Sequence, residues 1–441
     1  MKSILMDRKV FSWALYDWAN SAFATTIIAG FFPIFYSTLS EDLSTRDSQF
    51  WFNITLAASS LLIAVAAPLL GAIADYGGKR KRFLAMFAML GILMSAGLAW
   101  VGAGMWWMAL WIYGLGQIGF AGSNIFYDAL IVEVSPPEDL DIVSGYGYAL
   151  GYIGGGLLFL VNVLMVTMPE NFGFSSVGSA LSWSFVSVGV WWAVFTVPLL
   201  VGVRETAQKT PGAGEAIRAG FRELARTCAE IRKLKFVLWF LAGYYFYIDG
   251  VGTIIRMAVF FADRILGLPS ESLITALLLT QFVAFPAALF FGWLGKRIGP
   301  KAGILIGIAV YILVVFYAWG WLDSGADFYM LAIAIGLVQG GVQSLSRSLY
   351  ARLIPRSKTT EFFGFYNMVG KFSSILGPLL MVAVPMVLTG MDERDSILVL
   401  VFLFGAGGLL LFLVNVDQGI RAAREIEAGV AGDAAASPNS V

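Results

Sequence analysis

The sequence predicts an all-α integral membrane protein of twelve transmembrane helices, arranged as two parallel six-helix repeats. Three observations carry that prediction. Hydrophobic residues make up 59% of the chain and charged residues 13%, with a mean hydropathy of +0.78, more apolar surface than a soluble 441-residue fold needs. Apolar stretches recur between short polar loops, each long enough to cross a bilayer as a helix, which takes roughly 20 residues. Glycine-centred motifs in the first half of the chain return at matching offsets in the second.

The apolar stretches lie near 10–38, 51–74, 83–103, 105–134, 142–168 and 180–203, then 235–262, 271–294, 302–322, 328–353, 362–389 and 395–416. Lys and Arg concentrate in the N-tail, in loops 75–82, 204–234, 295–301 and 354–361, and in the C-tail, whereas the opposite loops hold Arg46, Arg264 and Arg394. That bias places both termini in the cytoplasm. Ala22-Phe23-Ala24 resembles a signal cleavage site, but Asp17 interrupts the apolar part and the run continues to Tyr36, so an uncleaved first span is expected.

Residues 1–203 then form an N-terminal half and 235–416 a C-terminal half. Between them, 204–234 carries Ile217, Phe221, Leu224, Cys228 and Ile231 at helical spacing, which predicts an amphipathic helix on the cytoplasmic membrane surface. The small, polar tail 417–441 is expected to be disordered.

The repeat is visible residue by residue. Gly71-x3-Asp75-x2-Gly78-Lys79-Arg80 follows the second span, and Gly292-x3-Lys296-x2-Gly299-Pro-Lys301 follows the eighth. Gly145-x5-Gly151 in span 5 matches Gly364-x5-Gly370 in span 11. Aligning Pro136 with Pro355 sets Asp128 on Arg347 and Glu133 on Arg352. Parallel repeats with a shared midplane site are the architecture of one large class of secondary transporters.

Several chemistries are excluded. With 29 basic and 29 acidic residues the net charge is zero, which gives no sign of a nucleic-acid partner. One cysteine, Cys228, permits no intramolecular disulfide, and the absence of histidine removes His-based metal sites, triads and proton relays. No nucleotide loop, G-x-S-x-G elbow or cysteine pair is present, so an integral-membrane enzyme is disfavoured and no cofactor is expected.

Charges inside the apolar runs are the functional candidates, because such groups face a bundle interior or an aqueous cavity. In the first span Asp17 and Asn20 share a helical face, with Ser21 beside them and Tyr16 adjacent. Asp128, Asp249, Arg256, Arg347 and Lys371 are the other intramembrane charges, with Glu133 and Arg352 near a cytoplasmic edge. Without histidine, a proton relay must run through Asp17, Asp128 or Asp249. The alternative is that each is neutralised by Arg or Lys and only tethers helices. Asp249 and Arg256, two turns apart on one face, are expected to pair. Gln117, Asn124, Gln281, Gln339, Gln343 and Asn367 add neutral groups suited to a zwitterion or polyol, or to interhelical contacts.

Twelve spans in a 6+6 repeat, with the Gly71–Arg80 loop motif, resemble the major facilitator superfamily. The stretch Trp13-Ala-Leu-Tyr-Asp-Trp-Ala-Asn-Ser-Ala-Phe-Ala-Thr-Thr and the segment Gly364-Phe-Tyr-Asn-x3-Lys371 resemble its vacuole-effluxer-like branch, whose fungal autophagy-related members export amino acids. The resemblance implies that Asp75 is a state-dependent latch, and that the ends of spans 4, 5, 10 and 11 close the cytoplasmic side. On that basis Asp128 is expected to pair with Arg347 or Lys371 when the cavity faces outward. Tyr76 and Lys296 depart from the superfamily motif, and span 4 lacks the arginine of many drug–proton antiporters.

The expectation is a monomeric secondary active transporter in a bacterial cytoplasmic membrane, moving a small polar solute. An amino acid is the leading candidate, by alternating access with protons as coupling ion. A non-transporting sensor or scaffold on the same fold is the alternative, and a sugar or drug transporter a lesser one.

Overall fold

The computed structural model describes residues 2–205, 213–230, 234–264, 266–387 and 394–436. Among these the regular structure is entirely helical. The first half comprises α1 (Arg8–Leu39), α2 (Thr45–Gly77), α3 (Arg80–Trp100), α4 (Trp106–Ala129), α5 (Leu140–Thr167) and α6 (Val177–Gly202). A linker helix α7 (Ala213–Glu230) leads to α8 (Lys235–Arg264), α9 (Ser270–Ile298), α10 (Pro300–Trp321) and α11 (Gly325–Leu353). The chain then forms α12 (Thr359–Ser373), α13 (Leu376–Val387), α14 (Val399–Phe412) and α15 (Val416–Ala436).

Ten helices among the described residues are long and apolar enough to cross a membrane. The expected spans 105–134 and 362–389 are not among them. The first is helix α4, diluted by glycines, tryptophans and polar side chains. The second is split into α12 and α13. Pro378 lacks the N–H that the Ser374 carbonyl would receive in a continuous helix, and its ring crowds that carbonyl. Helix α1 also departs from regularity: Phe23–Phe31 is wound as a π-helix, a form found mainly at functional sites.

Two close crossings join the halves. A Cβ on Gly71 of α2 would sit 2.4 Å from the Thr360 carbonyl oxygen of α12. One on Gly145 of α5 would sit 2.7 Å from the Ala288 carbonyl oxygen of α9 and 3.0 Å from the Gly292 Cα. The glycines matched by the sequence repeat therefore meet crosswise, Gly71 on the Gly364 helix and Gly145 on Gly292, because only hydrogen leaves room for the backbones to touch. Within each half, one lysine ties the last helix to the motif region. Lys81 Nζ donates to the Val203 carbonyl at the end of α6 (2.6 Å), and Lys301 Nζ to those of Phe412 and Val414 at the end of α14 (2.7 and 2.9 Å).

One expectation is corrected. The tail is helical over Val416–Ala436, because it is rich in Ala, Glu and Arg, good helix formers, and buries Ala423 where α15 packs on α8 and α11. The linker helix packs on the bundle through a face other than the apolar one read from the sequence. Phe221 is 57% exposed, whereas Gly220 and Thr227 are buried, Gly220 against Ile73 of α2. Polar ties hold it to the start of α12: Lys358 Nζ meets Glu223 at 2.6 Å and donates to Thr227 Oγ1 at 3.1 Å. Ile231 lies outside the described residues, as do the side chains of Ile217 and Cys228.

Candidate functional site

The site is built on Arg347, on the inner face of α11 less than two turns before its end at Leu353. Its side chain is 2% exposed, and every polar partner comes from the first half. Nη1 meets Asp128 Oδ1 of α4 at 3.0 Å and Asp17 Oδ2 of α1 at 3.5 Å. Nε donates to Ser144 Oγ and Nη2 to the Ser144 carbonyl, at 2.9 and 3.0 Å. The guanidinium also lies over the rings of Tyr148, Trp13 and Tyr127, 4.4, 4.9 and 5.4 Å from their centroids, an arrangement that favours a cation. Tyr127 donates its hydroxyl to Asp17 Oδ2 at 2.7 Å. One guanidinium thus serves two carboxylates.

These groups floor a cavity of about 470 Å³ between the halves. Of the residues singled out from sequence, Asp17, Asn20, Ser21, Asn124, Asp128, Gln281, Gln339, Gln343, Arg347 and Asn367 line it. Asn20 Nδ2 donates to Asn124 Oδ1 (2.6 Å), and Gln281 Nε2 reaches from α9 to Thr25 Oγ1 in the π-helical turn of α1 (3.2 Å). The lining continues to Leu273 and Phe328, near the starts of α9 and α11. The cavity therefore runs from Arg347 toward the end of the bundle opposite the Lys- and Arg-rich loops.

At the basic end the halves are tied shut. Arg352 Nη2 meets Asp141 Oδ2 at 2.7 Å, Ser348 Oγ donates to Asp141 Oδ1 at 2.6 Å, and Lys296 Nζ meets Asp139 Oδ1 at 2.5 Å. Ser144 Oγ donates to the Ser344 carbonyl at 2.7 Å. The loop motif contributes beside this seam. Gly78 ends α2 in the left-handed region (φ 56°), and the Lys79 N–H returns to the Ala74 carbonyl at 3.1 Å. Asp75 Oδ2 accepts the Glu361 N–H in the first turn of α12 (3.0 Å), where helix N–H groups favour an anion. Arg80 holds Asp75 Oδ1 and reaches Glu133 Oε1, both at 2.8 Å.

Four expected site residues lie elsewhere. Tyr16 is wholly buried against Tyr127, because one residue back along a helix turns it some 100° from Asp17 and behind the cavity wall. Asp249 does not line the cavity. Its Oδ2 accepts the Gly377 N–H that begins α13, and Thr253 Oγ1 donates to Oδ1. Arg256 stands 4.0 Å from Asp249, held through Thr253, so the expected pair forms only at the edge of contact, and Arg256 too is off the cavity. Lys371 does not reach Asp128, whose partner is Arg347.

Sequence reasoning missed the tyrosines. Tyr127, Tyr148, Tyr152, Tyr244 and Tyr366 line the cavity, yet in a chain with 16 tyrosines no spacing marked them. It also missed Asp139 and Asp141, whose signal was the acidic patch 135–141, a feature that the orientation rule ignores.

A polar cavity between two membrane-spanning helix bundles, closed at one end by ion pairs, defines a membrane transporter, and the fold agrees. The chain superposes on the proton:xylose symporter XylE of the major facilitator superfamily, solved with 6-bromo-6-deoxy-D-glucose, with a TM-score of 0.67 at 13% identity, covering 94% of this chain and 95% of that one. On the human organic anion transporter MFSD10 the TM-score is 0.65 at 15% identity, over 92% and 99%. The shared fold is that of the major facilitator superfamily.

The chain belongs to the Atg22-like vacuole effluxer family, whose model matches residues 44–133 and 135–424. It is 38% identical over 408 residues to the uncharacterized MFS-type transporter YxiO of Bacillus subtilis (strain 168), covering 91% of this chain and 94% of that protein. It is 24% identical over 485 residues to autophagy-related protein 22 of Eremothecium gossypii, covering 95% and 93%. The protein is thus an integral-membrane transporter of the major facilitator type and not an enzyme. The Trp13–Thr26 stretch lies before the matched region.

Proposed function

We propose that the protein moves a small zwitterion, an amino acid, by alternating access between two six-helix repeats, coupled to protons through Asp17 and Asp128. The observation that carries this reading is the sharing of Arg347 between two carboxylates at the cavity floor. Two aspartates and one arginine leave a net negative charge within the membrane, where an uncompensated charge is costly. A proton or a solute ammonium group restores balance, so the two compete for one place, which is the basis of coupling.

The crosswise glycine crossings support a repeat of two halves that rock about those seams. The Lys and Arg bias supports an inside location for the basic end, which makes this conformation outward-facing, with both termini in the cytoplasm. The bacterial relative favours a bacterial cytoplasmic membrane, and a monomer suffices, since the cavity is completed within one chain.

The test is uptake of radiolabelled amino acids into proteoliposomes with and without an imposed pH gradient. Flux that follows the gradient in wild type, and is lost from gradient control in Asp17→Asn or Asp128→Asn, is expected. Absence of flux for every amino acid would overturn the substrate class. Flux indifferent to pH would overturn the coupling alone.

A further inference from the structure

Each of the intramembrane charges marked by the sequence has a partner among the described residues except Lys371. Asp17 and Asp128 share Arg347, and Asp249 has Gly377, Thr253 and Arg256. Among the described residues, no hydrogen-bond acceptor or carboxylate meets the Lys371 ammonium. The residue is half-buried, in the last turn of α12. A cation left without a counter-charge inside a helix bundle is costly, and such groups mark substrate or ion paths.

Its position says which path. Lys371 lies four residues after Asn367, hence on the same helical face, one turn or about 6 Å further from the basic end. Asn367 lines the cavity beside Tyr366 and Arg347. The flexible four-carbon stem of a lysine lets its ammonium reach back across one turn. Above the excess negative charge on the cavity floor thus stands, one turn beyond the lining residue Asn367 and itself just outside the lining, a positive charge that no described residue partners. That is the charge order of a zwitterion bound with its ammonium group down and its carboxylate up.

We propose that Lys371 is the receptor for the solute's carboxylate, and that it restricts transport to amino acids with a free carboxylate over their amides. The inference rests on the amino-acid reading above and adds the residue that discriminates. It also explains why the bundle tolerates a lysine that no described residue pairs with: the anion arrives with the solute. Two structural roles compete with it. Lys371 could serve only the carbonyls at the C-terminus of α12, or extend its stem to the membrane surface.

The experiment measures binding of the twenty L-amino acids and of their amides to purified protein by calorimetry. Wild type, Lys371→Gln and Lys371→Arg are compared, with thermal melting of each ligand-free protein. Wild type is expected to prefer the acid over its amide by roughly 10- to 100-fold, the worth of a charge-assisted hydrogen bond. Lys371→Gln should erase that preference by weakening the acid alone, and Lys371→Arg should keep most of it. Because no described residue pairs with the lysine, Lys371→Gln should melt no lower than wild type.

An acid preference that survives in Lys371→Gln overturns the inference while leaving an amino-acid transporter. A lower melting temperature in Lys371→Gln, with equal weakening of acid and amide, assigns the residue to helix packing and overturns it too. Wild type that binds neither set overturns the substrate class and the inference together.

Discussion

Replacing Asp141 by asparagine tests the closure at the basic end. Asp141 is 1% exposed and accepts from Ser348 and Arg352, so an asparagine there keeps the Ser348 hydroxyl and loses only the ion pair. A hydrogen bond to a charged group contributes about 1.5–3 kcal/mol. Arg352 is 17% exposed and can turn to water when its partner goes, which places the loss near the lower end, about 2 kcal/mol. At 1.4 kcal/mol per tenfold, the closed conformation gives up a factor of about 30 against the open one. The neighbouring pair Lys296–Asp139 is a contrast: Lys296 is 42% exposed, and a pair so screened contributes about 0.5 kcal/mol, a factor of about two.

The assay is maleimide labelling from the basic side of a cysteine at position 344, with Cys228 changed to serine. Ser344 is fully buried, and its own hydroxyl bonds only to the Gly341 carbonyl within α11, while Ser144 uses its backbone oxygen. The substitution therefore reports without cutting the tie. Asp141→Asn should speed labelling about 30-fold, Arg352→Gln similarly, and the double change no further. Unchanged labelling in Asp141→Asn, or a larger rise in Asp139→Asn, refutes the assignment of the gate.

Gly71→Ala would press a Cβ to 2.4 Å from the Thr360 carbonyl, so α2 and α12 must part. The same cysteine should label faster, and slower labelling would show that the crossing is not part of the closure. Asp17→Asn and Asn20→Ala should each lower kcat/KM for flux by roughly 10- to 100-fold, equivalent to one or two polar contacts of the kind that cost about 1–3 kcal/mol to lose. Tyr16→Phe, behind the wall, should leave flux near wild type, and a loss matching Asp17→Asn would return Tyr16 to the site. Asp249→Asn still accepts the Gly377 N–H and should melt close to wild type, whereas Asp249→Leu strands that donor and should cost about 1–3 kcal/mol. Equal destabilisation by the two would show that the charge, not the helix start, matters.

Much of this was readable beforehand, and the residues explain why. Gly71, Gly145, Gly292 and Gly364 were marked by spacing, because a backbone crossing demands glycine wherever it occurs and so leaves a periodic trace. Asp17, Asp128 and Arg347 were marked by being charged in apolar runs. Their pairing followed only in part, since Asp17 and Arg347 stand 330 positions apart and nothing local ties them. The tyrosines were invisible for a different reason. An aromatic ring suits lipid, core and cavity alike, so its type does not say which way it faces. The π-helical turn and the break before Gly377 depend on how neighbouring helices satisfy the backbone, which no single segment encodes. The helical tail was misread because composition reports the ability to stay solvated, not the presence of a groove against which Ala423 can pack.

The two lysines that bind α6 and α14 back to their own motif loops bear on mechanics. Each strap closes its bundle into a hoop, and a hoop does not splay when pushed from inside; it tilts. On the alternating-access reading proposed above, work done where a solute meets Arg347 would then be delivered as rotation at the rim, at Lys296 and Asp139, instead of being dissipated in sliding between neighbouring helices. Opening a strap, with Lys81→Met or Lys301→Met, should leave the cavity floor untouched and yet uncouple it from the rim, so that solute binds normally and the gate no longer answers. The stiffness of the lever is thus set far from the place where the force is applied.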